Sequence, residues 1–501
     1  MTAVVLVVAI GSAALSLLRW LRVAQREHYL AGVGRFALRW WASGPRSIAV
    51  AAVGLGGLVA SGWTPWGAVV TAAVAAAGPP GLGMRGRTSR LAWTPRLIRL
   101  TAATGAVVIA LLAFDLTIPT SVVTAAVLAG LPLLTDGALV SMRPLEDRLG
   151  SRWVAQARSA LARSGSRVVA ITGSYGKTST KGLVSHLLGA LTSVVPSPAS
   201  FNNRMGLARA INEQLTPGTD VFVAEMGTYG PGEIRDMCRW VPPHVAVITA
   251  IGPVHLERMR SEEAIARAKR EILERAAVAV LSIDHPLLSA IAEEESRTRR
   301  VIRCSSVDRQ ADVYAGPDGA VAVGGRIVGR FDPESARAGN VACAIGVVVA
   351  LGFEPAAVAG RLETLPTTPH RQELVRGERG FWYVDDTFNS NPAGAAAALD
   401  LLMSRDGLGR RVVVTPGMVE LGRRQVEENA AFARLAAAKG VDTLVVVGRT
   451  NRAALVAGGE AGGIGSIIVV ATRDEAVAWV RENLGPGDAV LYENDLPDHY
   501  P

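Results

Sequence analysis

The chain has 501 residues, 49% of them hydrophobic, with a formal net charge of +8 and a mean hydropathy of +0.27. That length accommodates two or three domains, each able to bury a core. Residues 1–150 carry thirteen arginines, no lysine and five acidic groups, whereas the remainder carries 39 basic and 39 acidic groups. The whole positive balance therefore lies in the N-terminal part, which argues against a nucleic-acid surface on the rest and marks an apolar segment with cytoplasmic arginines.

Five apolar runs precede residue 141, at 3–18, 47–62, 66–82, 100–114 and 118–140. Several are shorter than the ~20 residues that a helix needs to cross a bilayer. The second and third are joined by "SGWTPWG", which suits a tight hairpin, and Gly78-Pro79-Pro80 is placed to kink the third. Arg19, Arg22, Arg26, Arg35, Arg39 and Arg46 follow the first run, Arg85, Arg87, Arg90, Arg96 and Arg99 follow the third, and Arg143 and Arg148 follow the fifth. The other two loops hold no basic residue. Positive-inside reasoning gives an outside N-terminus, five spans, and cytoplasmic residues after about 141, with four spans as the competing count. The first run lacks a basic n-region and more runs follow, so it reads as an uncleaved span of a multi-pass protein of the bacterial cytoplasmic membrane.

From about residue 167 the pattern becomes α/β. "RVVAIT", "VFVAEM", "HVAVITAI", "VAVLSI", "FWYVDD", "RVVVTPG", "TLVVVG", "SIIVVA" and "DAVLYEN" read as buried strands, many separated by helical stretches. Such alternation predicts parallel sheets with crossover helices. Pro366 and Pro369, in "LETLPTTPHRQELV" (362–375), mark a break between two such series. The expected division is a transmembrane domain at 1–140, a linker helix at 141–165, a central domain at 166–367 and a C-terminal domain at 368–501. "GGEAGGIG" (458–465) reads as a surface loop. Cys238, Cys304 and Cys343 are widely spaced and form no C-x-x-C pair, so they read as reduced, buried thiols.

"ITGSYGKTST" (171–180) carries the clearest chemistry. The usual phosphate loop needs glycine at position 171, where this chain has Ile171; its first glycine is Gly173, giving Gly-x-x-Gly-Lys-Thr. The loop follows a buried strand and opens a helix, so backbone N–H groups of Gly173, Ser174, Tyr175, Gly176, Lys177, Thr178 and Ser179 are placed to hold phosphates. Lys177 would neutralise the terminal phosphates and the Thr178 hydroxyl would reach Mg2+. There are only four lysines, Lys177, Lys181, Lys269 and Lys439, against 48 arginines. Lys181 and Lys439 read as ordinary surface residues.

This loop resembles that of the Mur ligases, which join amino acids to the peptide of cell-wall precursors. "FNNRMG" (201–206), "VAEMGTYGPGEI" (223–234), "ITAIGPVHLERMRSEEAIARAKREI" (248–272), "DDTFNSNP" (385–392), "TPGMVELG" (415–422) and "ENDLPDHY" (493–500) are similar to further motifs of the family, in order. Within the family they most resemble the branch that adds D-alanyl-D-alanine to a muramyl tripeptide. The likeness covers about 165–501 and implies a P-loop central domain, a Rossmann-like C-terminal domain, and an ATP-dependent carbon–nitrogen ligase acting through an acyl phosphate. It makes Lys177, His255, Lys269 and Arg371 catalytic, and Thr178, Glu225, His255 and Lys269 the metal site, with Lys269 carbamylated by CO2. Glu225, at a strand's C-terminal edge, is where such sheets bind ligands. Asn340, Arg371, Asp386 and Asn389 would join the loop in holding ATP. Arg337 stands where the family more often has an asparagine near the adenine, and "TPGMVELG" lacks a usual aspartate.

The implied partners are a carboxylate peptide precursor, an amino-acid or dipeptide amine, the lipid bilayer and membrane proteins of cell-wall synthesis, with no nucleic acid. No counterpart of the family's UDP-gripping N-terminal domain is present; membrane segments occupy its place, so a lipid-linked acceptor stays open. Two other readings stand beside this one. The first is a Mur-type ligase for another substrate, such as a lipid-linked peptide or polyglutamate. The second is a non-catalytic nucleotide-sensing membrane protein.

Overall fold

The computed structural model describes residues 3–84, 91–117, 121–198, 201–254, 256–377, 379–388, 390–404, 409–496 and 500. The chain forms two compact units, one of residues 1–149, 448–450 and 495–501, the other of residues 150–447 and 451–494.

The first unit is helical. It holds α1 (Ala3–Arg26), α2 (Val33–Trp41), α3 (Pro45–Ala60), α4 (Pro65–Ala77), α5 (Pro95–Asp115) and the start of α6 (Val122–Ser164). Three of these, α1, α5 and α6, are long and apolar enough to cross a membrane. The pair α2–α3, bent by 112°, makes a fourth if counted as one broken span. At 13 residues α4 is too short. The segment 19–46, predicted as a basic loop, instead continues α1 and forms α2, and the expected linker helix at 141–165 is the continuation of α6.

The hairpin of α3 and α4 forms as its sequence suggests. Pro45 and Pro65 occupy first-turn positions, where the missing N–H has no partner to lose. Gly57 and Gly67 let the two backbones touch, since a Cβ on Gly67 would lie 2.5 Å from the Gly57 carbonyl oxygen. The run 66–82 does not kink at Gly78 but ends there, at a φ of 69°. Arg19, 3% exposed, covers that end: Nη1 donates to the Ala75 carbonyl at 3.3 Å, and Nη2 to those of Ala76 and Ala77 at 3.0 Å each. At the start of α2, Asp136 accepts the backbone N–H groups of Gly32, Val33 and Gly34 at 2.8–2.9 Å. Both charged side chains satisfy backbone groups that a helix end leaves open.

The second unit contains two sheets. The larger comprises β1 (Arg167–Thr172), β2 (Val194–Pro196), β3 (Val221–Glu225), β4 (Val245–Ile248), β5 (Val278–Ser282), β6 (Arg300–Ser305), β7 (Val313–Ala315), β8 (Ala320–Val323) and β9 (Arg326–Arg330). Their order is β2-β3-β1-β4-β5-β6-β7-β8-β9, parallel through β7 and antiparallel at β8 and β9. The smaller comprises β10 (Glu373–Arg376), β11 (Trp382–Asp386), β12 (Arg411–Thr415), β13 (Thr443–Val447), β14 (Ser466–Val470) and β15 (Ala489–Glu493), ordered β10-β11-β15-β12-β13-β14. Only β10 runs antiparallel there. The sheets are mixed rather than wholly parallel.

Both faces of the larger sheet are covered. Val168 and Ala170 of β1 enter one core, Val169 and Ile171 the other. A strand buried on both sides must be apolar throughout, which is why "RVVAIT" is legible as one. The helices that position the site are α7 (Lys177–Leu188), α8 (Arg204–Gln214), α9 (Glu233–Trp240), α10 (Leu256–Met259), α11 (Glu262–Arg270), α12 (Pro286–Glu295) and α13 (Ala338–Ala350). The short α14 (Ala359–Leu362) precedes the linker, and α15 (Pro392–Met403), α16 (Gln425–Ala438), α17 (Arg452–Gly462) and α18 (Arg473–Asn483) pack with the smaller sheet. "GGEAGGIG" is not a surface loop: five of its residues finish α17. Gly458 is buried so closely on α16 that a Cβ would lie 2.4 Å from the Ala430 carbonyl oxygen. The three cysteines are free and buried, as expected.

Candidate active site

The glycine loop leaves β1 at Thr172 and enters α7 at Lys177. Its glycine spacing has a steric cause. Gly176 caps α7 at a φ of 81°, and a Cβ there would lie 2.4 Å from Asn340 Oδ1. A Cβ on Gly173 would lie 2.0 Å from Thr249 Oγ1. The loop is tied to the end of β4: Ser174 N–H donates to the Ala250 carbonyl at 2.8 Å, and Tyr175 Oη to that of Ile251 at 3.0 Å. Lys177 folds back over the loop, its Nζ donating to the Gly173 carbonyl at 2.7 Å. The Thr180 hydroxyl, 0% exposed, has no hydrogen-bond partner among the described residues.

Glu225, the last residue of β3 and 1% exposed, faces the same helix start. Its Oε2 accepts from Thr178 Oγ1 at 3.0 Å and lies 3.0 Å from Lys181 Nζ. Its Oε1 accepts from Asn202 Nδ2 at 3.2 Å. Lys181 is therefore no surface residue: it is 5% exposed and ion-paired. The reason is helical periodicity, since residues 178 and 181 lie three apart on one face of α7 and meet the same oxygen. Lys439 does lie at the surface, partly exposed and paired with Asp400.

The charged groups share one neighbourhood. Burial lowers the Lys177 amine to about 8, against the opposing pull of Glu225 and with a further push from Arg371. Lys269, on α11 and 2% exposed, is driven well below the ordinary lysine value, first by burial and then by the charge of Lys177. No carboxylate pairs with it among the described residues. Arg371 is lowered by burial, opposed by Glu225 and Asp386. Its guanidinium lies 4.4 Å from the centre of the Phe388 ring, and its neighbours His370 and Gln372 adopt φ values of 60° and 54°. The linker is thus held in left-handed backbone on either side of Arg371. Asp386, at the end of β11, is raised to about 6, chiefly by burial, with Arg337 and Arg371 opposing.

Lys177, Thr178, Glu225, Lys269, Arg371 and Asp386 thus feel one another through contact or charge, and Asn340 lies against the glycine loop. His255 and Asn389 lie outside the described residues. Arg337 is turned to the linker and the smaller sheet's helices, with Nε donating to Gln372 Oε1 at 3.0 Å and Nη2 to the Gly394 carbonyl at 3.4 Å. Thr368 Oγ1 donates to Ser179 Oγ at 3.3 Å, tying the linker to α7. One buried acid was missed. Glu493 ends β15 beside Asp386, is 0% exposed, accepts the Ser390 and Thr415 hydroxyls, and is raised to about 7 by burial. Among the described residues no three His, Cys, Asp or Glu side chains cluster as a ready metal site. The oxygen donors available to a hard cation are the Thr178 hydroxyl and the Glu225 carboxylate, whose type suits Mg2+.

A buried parallel strand, a glycine loop, and a lysine and threonine at the helix start define a nucleoside-triphosphate-binding protein. Residues 171–328 match the Mur ligase middle domain, and residues 370–492 match the Mur ligase, glutamate ligase domain. The UDP-N-acetylmuramoyl-tripeptide–D-alanyl-D-alanine ligase of Mycobacterium tuberculosis (strain ATCC 25618 / H37Rv) is 32% identical over 367 residues, 66% of this chain and 71% of that protein. Its Bacillus subtilis (strain 168) counterpart is 28% identical over 369 residues, 72% and 78% of the two chains. The crystal structure of MurF ligase from Thermotoga maritima in complex with ADP superposes with a TM-score of 0.58 at 26% identity, covering 69% of this chain and 80% of that one. The chain belongs to the Mur ligase family and is an ATP-dependent ligase that forms carbon–nitrogen bonds.

Proposed function

We propose that this protein joins D-alanyl-D-alanine to the free carboxylate of a muramyl tripeptide through an acyl phosphate, at the cytoplasmic face of a membrane. The observation that carries the reading is the convergence of Lys177, Glu225, Lys269 and Arg371 on one glycine loop. Lys177 and the loop N–H groups hold the triphosphate, and Arg371 adds positive charge as the transferring phosphoryl group becomes more anionic. Thr178, Glu225 and His255 hold Mg2+, which supplies charge neutralisation at the phosphates. Asn340, Asp386 and Asn389 contact the nucleotide. Burial favours the uncharged Lys269 amine, which is the nucleophile needed to form a carbamate with CO2. The amine nitrogen attacks the CO2 carbon, one C=O π bond opens to a carboxylate oxygen and the nitrogen loses a proton, so the neutral amine becomes an anion that arginine cannot mimic.

In this reading residues 1–140 are a membrane domain, 141–165 a linker helix, 166–367 the ATP-binding domain and 368–501 a Rossmann-like domain. The N-terminus is outside, which an odd count such as the three long helices α1, α5 and α6 satisfies with the ligase domains cytoplasmic. A lipid-linked muramyl peptide is the second substrate reading, favoured by the three apolar helices in the N-terminal third.

The test is ADP release from the full-length protein supplied with ATP, Mg2+, D-alanyl-D-alanine or glutamate, and nucleotide- or lipid-linked tripeptide. Stimulation by the dipeptide with one tripeptide form is expected, and Lys269→Arg should abolish it. Absence of stimulation by every carboxylate–amine pair would overturn the ligase reading, and full activity in Lys269→Arg would remove the carbamate.

A further inference from the structure

The ion pair between Lys181 and Glu225 is not needed to hold a triphosphate, yet it occupies the best-placed carboxylate of the site. Both partners are almost fully buried, at 5% and 1% exposure. A carboxylate so placed needs compensation, because an unpaired buried charge costs several kcal/mol. Lys181 supplies it at 3.0 Å, on the same Oε2 that receives the Thr178 hydroxyl. The remaining oxygen is held by Asn202 at 3.2 Å, and the Glu225 backbone N–H by the Ser197 hydroxyl at 3.1 Å. The carboxylate is therefore fixed from the side chain and the backbone before any ligand arrives. The chain uses arginine 48 times and lysine four times, and the compact ammonium approaches a single oxygen without a guanidinium's planar width.

We propose that Lys181 is a resident counter-cation of the metal site: it holds Glu225 aimed and neutralised, and it competes with a divalent cation for that oxygen until nucleotide phosphates enter. This rests on the reading of Glu225 as a metal ligand. A positive charge 3.0 Å from the carboxylate opposes a second cation there, and in a partly buried site the opposition is large. Negative phosphates on the neighbouring loop shift the balance. Metal binding is thereby conditional on nucleotide, and Lys181 acts as a positioning residue.

Free Mn2+ is measured by electron paramagnetic resonance during titration of the full-length protein without nucleotide. Lys181→Gln keeps a hydrogen-bond donor for Glu225 while removing the charge, and Lys181→Met removes both. If Lys181 competes, the Gln variant binds Mn2+ at least about tenfold more tightly than the unmodified protein. Adding Glu225→Gln to Lys181→Gln removes the gain. A folded Lys181→Gln variant whose affinity is unchanged or weaker overturns the proposal, and the Gln variant keeps the test open should the Met variant fail to fold. A control distinguishes the two claims. If the unmodified protein with a non-hydrolysable ATP analogue holds no Mn2+, the metal-site reading itself falls. If it does hold Mn2+ and the Gln variant gains nothing, only the role of Lys181 falls.

Discussion

Glu225 and Glu493 occupy equivalent places in two different sheets. Each is the last residue of a parallel strand, each is almost completely buried, and each accepts a threonine hydroxyl. Their compensation differs. Glu225 is met by an ammonium 3.0 Å away, whereas Glu493 is met by two hydroxyls and has Asp386 as its neighbour across the β11–β15 register. The first arrangement keeps an anion in place for a cation. In the second, burial raises the carboxyl to about 7, with Asp386 adding to the rise and the Ser390 and Thr415 hydroxyls opposing it. Two carboxylates at equivalent strand ends are thus compensated differently, one by a facing ammonium and the other by hydroxyls.

Three substitutions break or sharpen this contrast. The largest effect is expected from Glu225→Gln, which removes a hard anionic donor and should lower ATP turnover by about 10²–10³-fold, read as ADP release at saturating ATP. Retention of more than a tenth of the rate would place the essential carboxylate elsewhere.

Glu493→Gln should act on stability. The ordinary value for a glutamate is 4.5 and the folded value about 7, so between these pH values the folded state holds a proton that the unfolded state has released. Stability from this group is therefore fully present below about 4.5 and is lost as pH rises through 7, by about 3 kcal/mol. Thermal melting followed by tryptophan fluorescence should show the variant losing less stability than the parent between pH 5 and pH 8. Equal losses would show that Glu493 is ionised throughout.

The smallest effect belongs to Arg424→Ala. Arg424 Nη1 reaches Glu262 Oε1 at 3.0 Å, but the arginine is about half exposed. Water screens such a pair, so the melting free energy should change by less than about 1 kcal/mol. A larger loss would mean that the contact is drier than its exposure indicates.

The sequence made the fully buried strands legible, and all nine predicted runs form strands. Of the six others among the described residues, β2, β7, β8, β9 and β10 are short or lie at sheet margins, and β6 is an inner strand broken by charge. β9 carries arginine at both ends and β10 is four residues of which two are charged, so neither shows the apolar run of a covered strand. β6 exposes Arg300 at its start and Arg303 between the buried Ile302 and Cys304. The glycine-rich end of α17 has the composition of a turn, but its glycines serve close packing on α16. At the site, the glycine loop and Glu225 were readable because motif and strand end coincide. Lys181 was not, because the oxygen it meets comes from a strand some forty residues further along the chain. Glu493 depends on β15 lying between β11 and β12, a strand order that no local pattern encodes.

Arg19 has a consequence for biogenesis. The carbonyls it serves, at Ala75, Ala76 and Ala77, are synthesised more than fifty residues after it. A ribosome that has just released α1 has therefore made an apolar helix bearing a guanidinium with none of these acceptors yet in existence. The first helix to emerge cannot be the first to be finished. It is completed only when α4 has been made and its open end arrives, so a chain truncated before residue 75 should be recognised by quality-control proteases as incomplete.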